Sequence, residues 1–138
     1  MKVVILGCGR LGAYLALRLA GLGHHVTVID QDPTAFARLG DDFPGRTVVG
    51  TGIDEEVLRR AGVAEADAFI AVTNWDNTNV MAAQVAREIL GVPRAICRLY
   101  DPLRDEFYRS LGLETVCPTL WGAQRIEEIL YGSATAAE

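Results

Sequence analysis

The sequence predicts an α/β fold: a Rossmann-type, doubly wound parallel sheet of six strands in the order 3-2-1-4-5-6, with a helix at the C-terminal end. Three observations predict it. Strand-like and helix-like segments alternate along the whole chain, the arrangement of successive βαβ units. Strands two, four and five read as continuous apolar runs, which suits strands covered by helices on both faces. Between the first strand and the first helix stands Gly7-Cys8-Gly9-Arg10-Leu11-Gly12, a Gly-x-Gly-x-x-Gly turn in the context that gives the motif physical meaning. Right-handed crossovers between parallel strands then set the strand order.

Each element has its own signal. Lys2 to Leu6 is the first strand, and the first helix runs from Arg10 to about Leu22. Gly23-His24-His25 turns into a second strand, Val26 to Ile29, which ends at Asp30. Asp32-Pro33 opens a short helix, with aspartate as N-cap and proline at the first helical position, and it ends near Gly40. A loop, 41–45, leads to strand three at Thr47 to Val49. After the Gly50-Thr51-Gly52 turn, Asp54 caps a helix that Gly62 stops. Ala68 to Val72 is strand four, followed by a long helix from about Asn77 to Leu90, closed by Gly91 and Pro93. Arg94 to Arg98 is strand five, Asp101-Pro102 starts a helix that ends at Leu111-Gly112, and Thr115 to Cys117 is strand six. A last helix spans about Leu120 to Tyr131. The expected organisation is one domain: 1–118 as the sheet-and-helix lobe, 119–132 as its C-terminal helix, and 133–138 as a frayed tail.

Composition narrows the function. Half of the 138 residues are hydrophobic and 22% are charged, the balance of a soluble globular protein. No apolar stretch approaches a membrane span, and the N-terminus has no signal-peptide core, so the chain reads as cytoplasmic with no membrane insertion of its own. The net charge of −5 comes without any basic stripe, which argues against nucleic acid as a partner, since that affinity rests on phosphate neutralisation. Cys8, Cys97 and Cys117 have no paired spacing, and His24 and His25 sit together at one turn; no metal site is expected.

The candidate ligand residues stand where an open doubly wound sheet binds, outside the carboxyl ends of the strands. Gly7 permits the tight turn, Gly9 admits a pyrophosphate to the backbone, and Gly12 lets helix and strand pack closely. Backbone N–H groups of the helix start then face the ligand. Asp30, ending strand two, can accept hydrogen bonds from both hydroxyls of a ribose and would repel a 2′-phosphate, which disfavours NADP. Asp32 fills the competing role of helix cap. Beyond strand three, Gly52 allows backbone to approach an adenine edge, and Asp54 serves as a helix cap, a ligand contact, or both. Thr73 and Asn74 after Val72 either face the pyrophosphate or second ribose or simply start the next helix. Arg10 is either a solvated cation or a fork for a terminal phosphate, which ADP or ATP would use and NAD would not. Arg98 points to the same rim or to a neighbouring carboxylate.

In order along the chain, Gly7-x-Gly9-Arg10-x-Gly12, Val28-Ile29-Asp30-x-Asp32, Gly50-Thr51-Gly52-x-Asp54, Ala71-Val72-Thr73-Asn74, Asn79, Gly91-Val92-Pro93 and Arg98 resemble the nucleotide-binding lobe of the regulators of potassium conductance, the RCK or KTN domains of the TrkA type. The resemblance runs from Lys2 to about Leu130. It implies a cytoplasmic regulatory subunit, peripheral to the inner face of the membrane through a potassium channel or transporter partner. It implies NAD(H), ADP or ATP as ligand, held by Gly7, Gly9, Arg10, Leu11, Gly12, Asp30, Gln31, Thr51, Gly52, Ile53, Asp54, Val72, Thr73, Asn74, Asn79 and Arg98. It also implies homodimers or higher rings, with the final helix crossing to a partner subunit. Thr119 follows Pro118 where many relatives carry an acidic residue, so a metal site is not carried over. The usual second lobe would follow that helix, and the sequence reads as either a stand-alone variant or an excised lobe.

Two classes of function result. The first is a ligand sensor that couples nucleotide occupancy to a potassium pathway. The second is an NAD-dependent oxidoreductase, or the cofactor domain of one. An enzyme needs a positioned acid or base and a substrate region beyond the cofactor. The nucleotide-binding fold takes up the whole chain, and its only histidines lie at the turn entering strand two, so the expectation is a binding protein and not an enzyme.

Overall fold

The computed structural model describes residues 1–132; the tail at 133–138, expected to fray, lies outside the described residues. Six parallel strands form one sheet in the order β3-β2-β1-β4-β5-β6, the predicted order. The strands are β1 (Lys2–Leu6), β2 (His25–Asp30), β3 (Arg46–Val49), β4 (Ala68–Ala71), β5 (Arg94–Arg98) and β6 (Glu114–Val116). The α-helices are α1 (Arg10–Gly21), α2 (Glu55–Arg60), α3 (Asp76–Gln84), α4 (Pro102–Ser110) and α5 (Pro118–Tyr131).

β1 shows why its apolar run does not alternate. Val3 and Ile5 enter one core with Ala13 and Ala16 of α1, while Val4 and Leu6 enter the other with Leu58 of α2 and Ala82 and Ala83 of α3. Both faces of the strand are covered, so both sets of side chains must be apolar. Register pairs Ile5 with Val28 on one side and with Ile70 on the other. The switch in strand order therefore falls at β1, between β2 and β4, and the crevice opens there.

Several boundaries differ from the expectation. The segment after Asp32 winds as a 3-10 helix, Pro33–Leu39, rather than an α-helix. Thr34 donates to the Asp32 carboxylate through both its N–H (3.0 Å) and its hydroxyl (2.7 Å), and Gly40 closes the other end at φ +78°, leaving barely two turns between fixed ends. A short 3-10 turn, Val63–Glu65, follows Gly62 and buries Val63 completely. The expected long helix is α3 followed by a π turn, Val85–Ile89, where Leu90 N–H reaches Val85 O at 3.0 Å. That wider turn delivers both Leu90 and Val92 into the core. α5 begins two residues earlier than expected, because Pro118 is preset for the first helical position.

Candidate functional site

The three glycines of the turn meet three different demands. Gly7 has φ +107°, and a Cβ there would stand 3.0 Å from Thr73 N and Val72 C, so the turn presses on the end of β4. At Gly12 a Cβ would come within 1.8 Å of Gly7 O, which forces a glycine for α1 to pack on β1. Gly9 is different: its φ of −80° suits any residue, and nothing among the described residues lies within 4 Å of a Cβ built on it. The space in front of Gly9 is open. α1 also starts without a side-chain cap, whereas Asp32, Asp54 and Asp101 each accept a backbone N–H at the start of their own helices. Its first N–H groups and dipole are left for another acceptor.

Asp30 is half-buried at the end of β2. Its carboxylate accepts from Cys8 N–H (2.8 Å) and from Asp32 N–H (2.9 Å), tying the second strand end to the glycine turn. Burial, then the charge of Asp30, raises the pKa of the Cys8 thiol, which keeps it protonated. The hydrogen bond from the Thr34 hydroxyl holds the Asp32 carboxyl below its ordinary range.

These pieces surround a cleft of about 280 Å³ at the carboxyl ends of the strands. Of the residues expected at a ligand, Gly7, Gly9, Asp30, Gln31, Thr51, Gly52, Val72, Thr73 and Asn74 line it. Leu6, Cys8, Asp32, Ala35, Arg38, Gly50, Trp75 and Thr78 line it as well, and the sequence reading did not propose them as contacts. Asp32 and Arg38 could have been suspected, being charged residues just beyond the second strand. Arg38 Nη1 donates to Cys8 O at 3.4 Å.

Arg10, Leu11, Gly12, Ile53, Asp54, Asn79 and Arg98 stand outside the lining. Arg10 is exposed on the first turn of α1. Asp54 caps α2, accepting from Glu56 N–H at 2.9 Å. Gly52 has a use within the protein, since a Cβ there would stand 2.1 Å from Leu6 Cδ2. Asn79 is fully buried, and its amide is saturated. Oδ1 accepts from Thr73 N–H (2.9 Å) and the Thr73 hydroxyl (2.6 Å); Nδ2 donates to Thr73 O (3.0 Å) and Arg98 O (2.9 Å). Arg98 turns inward, with Nη2 donating to Val72 O and Thr73 O, both at 2.8 Å, and its guanidinium lies 4.8 Å from the Tyr100 ring centroid. Asn79 and Arg98 thus fix the loop after β4 from beneath.

Away from this cleft, His24 and His25 border a separate depression at the amino ends of β2 and β3. Among the described residues, no three His, Cys, Asp or Glu side chains are grouped to hold a metal ion. No helix among them is long and apolar enough to cross a membrane.

The TrkA-N domain family model matches residues 3–119. The Trk system potassium uptake protein TrkA of Streptomyces coelicolor is 52% identical over 126 residues, which is 91% of this chain and 56% of that protein. The chain therefore spans little more than half the length of that relative. The Shewanella denitrificans Kef CTD, solved in an AMP-bound form, superposes with a TM-score of 0.81 at 20% identity, over 99% of this chain and 87% of that one. The GsuK channel bound to NAD gives 0.76 at 23% identity, over 93% and 23%, and GsuK bound to ADP gives 0.77 at 21%, over 92% and 34%. At such identities the superpositions establish the shared fold. With the family model covering the sheet and every strand end that forms the cleft, this chain belongs to the TrkA-N domain family.

Proposed function

We propose that this chain is the nucleotide-sensing part of a potassium-uptake regulator. In this reading the cleft binds an adenine nucleotide, NAD(H) or ADP/ATP. Occupancy is passed on through assembly with further copies of the chain and with a membrane potassium channel or transporter subunit, which holds the protein at the inner face of the membrane. The observation that carries the reading is the open space at Gly9 beside the Asp30 carboxylate. No contact among the described residues requires glycine at that position, whereas a pyrophosphate approaching the uncapped start of α1 does. The relatives named for potassium uptake, and the neighbours solved with AMP, ADP and NAD, support it.

The assigned roles follow the strand ends. Gly7, Gly9 and Gly12 with Leu11 form the phosphate cradle, and Arg10 covers the phosphate chain. Asp30 and Gln31 take the ribose, Thr51 to Asp54 flank the adenine, and Val72, Thr73 and Asn74 border the far side, positioned by Asn79 and Arg98. Asp30 and Asp32 set two carboxylates against the single guanidinium of Arg38 in the cleft wall, which disfavours a 2′-phosphate and hence NADP. The chemistry of the wall favours binding over turnover. Both Asp30 oxygens already accept backbone N–H groups, and the Cys8 thiol is buried and protonated. Signalling requires that the ligand bind one assembly geometry more tightly than another.

Isothermal calorimetry with ADP and NAD tests the assignment. Asp30→Ala is expected to weaken both by about tenfold or more, the value of hydrogen bonds to a charged acceptor. Unchanged affinity would place the ribose elsewhere.

A further inference from the structure

We infer that Trp75 is a stacking platform for the second ring of a dinucleotide, and that it makes the cleft prefer NAD(H) to ADP or ATP. The inference rests on the nucleotide reading above and narrows it.

Topology assigns the two halves of the cleft. Asp30 ends β2 on one side of β1, and the loop carrying Trp75 follows β4 on the other. A nucleotide with its ribose on Asp30 and its phosphates at Gly9 fills the β2 half; only a ligand that continues across the crevice meets the β4 half. Two strand spacings of about 4.8 Å each separate those strand ends, within the span of a dinucleotide.

The β4 half offers a ring a surface and offers a terminal phosphate little. Trp75 lines the cleft while remaining 66% exposed, an uncovered indole on a loop whose backbone is locked. Its N–H donates to the Thr73 hydroxyl at 3.2 Å, and Thr73 is in turn held by buried Asn79. On the other side, Asp76 accepts from Tyr100 N–H at 3.0 Å, fixing the start of α3. A flat, exposed aromatic on a rigid support stacks a planar ring at low entropic cost. Meanwhile Arg98 stands outside the cleft lining. Arg98 is 8% exposed, with Nη2 on two carbonyls and its face over Tyr100. Among the described residues that line the cleft the only cation is Arg38, and it belongs to the β2 half. Arg10 starts α1 outside the wall, where a phosphate chain and not a ring would meet it.

The test uses the full chain with Trp121→Phe, which leaves Trp75 as the only one of the two tryptophans. Titration with NADH should quench Trp75 emission and transfer energy to the reduced nicotinamide, while ADP should leave the emission nearly unchanged. In calorimetry on the otherwise native chain, Trp75→Ala should lose about tenfold in NAD(H) affinity and Trp75→Phe should keep most of it, with ADP affinity constant in both. Equal losses for NAD and ADP, or no loss for either, overturn the inference. So does an altered oligomeric mass with unaltered affinities, which would put Trp75 in a subunit contact. If neither ADP nor NAD binds the native chain, the nucleotide reading itself is wrong; if they bind and Trp75 does not discriminate, only the present inference fails.

Discussion

At the residue scale, three glycines of one motif answer to three different demands. Gly12 is required by a backbone oxygen 1.8 Å from its would-be Cβ, and Gly7 by its positive φ and the end of β4. Gly9 answers to nothing among the described residues. The two kinds of requirement predict opposite mutants. Gly12→Ala should destabilise by more than about 3 kcal/mol, or fail to fold, because neither partner is a movable side chain. Gly9→Ala should stay within about 1 kcal/mol of the native stability while losing at least about tenfold in nucleotide affinity. Thermal melts paired with calorimetry separate them. Gly7, Gly9, Asp30 and Thr73 were legible in the sequence as cleft positions because each stands at or just beyond the carboxyl end of a strand. Arg38 and Ala35 were not named as contacts, because their place in the cleft wall depends on the 3-10 winding of Pro33–Leu39, which the Asp32-Pro33 start signal marked only as a short helix.

At the element scale, the loop after β4 is held by an amide and a guanidinium arriving from α3 and β5. Asn79 spends all four of its hydrogen-bonding positions there. Removing it leaves Thr73 N–H and Arg98 O without that partner in a buried setting. Asn79→Ala should therefore cost about 2–4 kcal/mol and lower the melting temperature by several degrees. Asn79→Asp should also destabilise, since an ionised carboxylate cannot donate to the carbonyls of Thr73 and Arg98. Sequence marked both Asn79 and Arg98 as belonging to the site. It could not show that Arg98 turns inward, because a strand end fixes the position of a Cα and leaves the long side chain undetermined.

At the scale of the whole molecule, the sheet order was legible from two regularities: alternation of elements and the right hand of parallel crossovers. What lies beyond one chain was legible only as composition. α5 buries none of its residues, and Trp121, Ile126, Ile129 and Leu130 are each at least 60% exposed. Four large apolar side chains on one uncovered helix are what a second copy of the chain would cover, consistent with the proposed dimer or ring. Light scattering at tens of micromolar should give at least twice the mass of one chain, and Trp121→Glu with Ile129→Glu should shift it toward one. A single-chain mass for the native protein would remove α5 from the proposal.

The carboxylate of Asp30 has a consequence for how ligand fragments combine. One of its oxygens holds the N–H of Cys8, in the middle of the phosphate turn, and the other holds Asp32, which opens the next wall. Drawing either oxygen toward a sugar disturbs the loop that greets the phosphates. Under the proposed function, the free energies of the nucleoside portion and the phosphate portion are therefore not separable terms in this site: the two portions are coupled parts of one linked equilibrium.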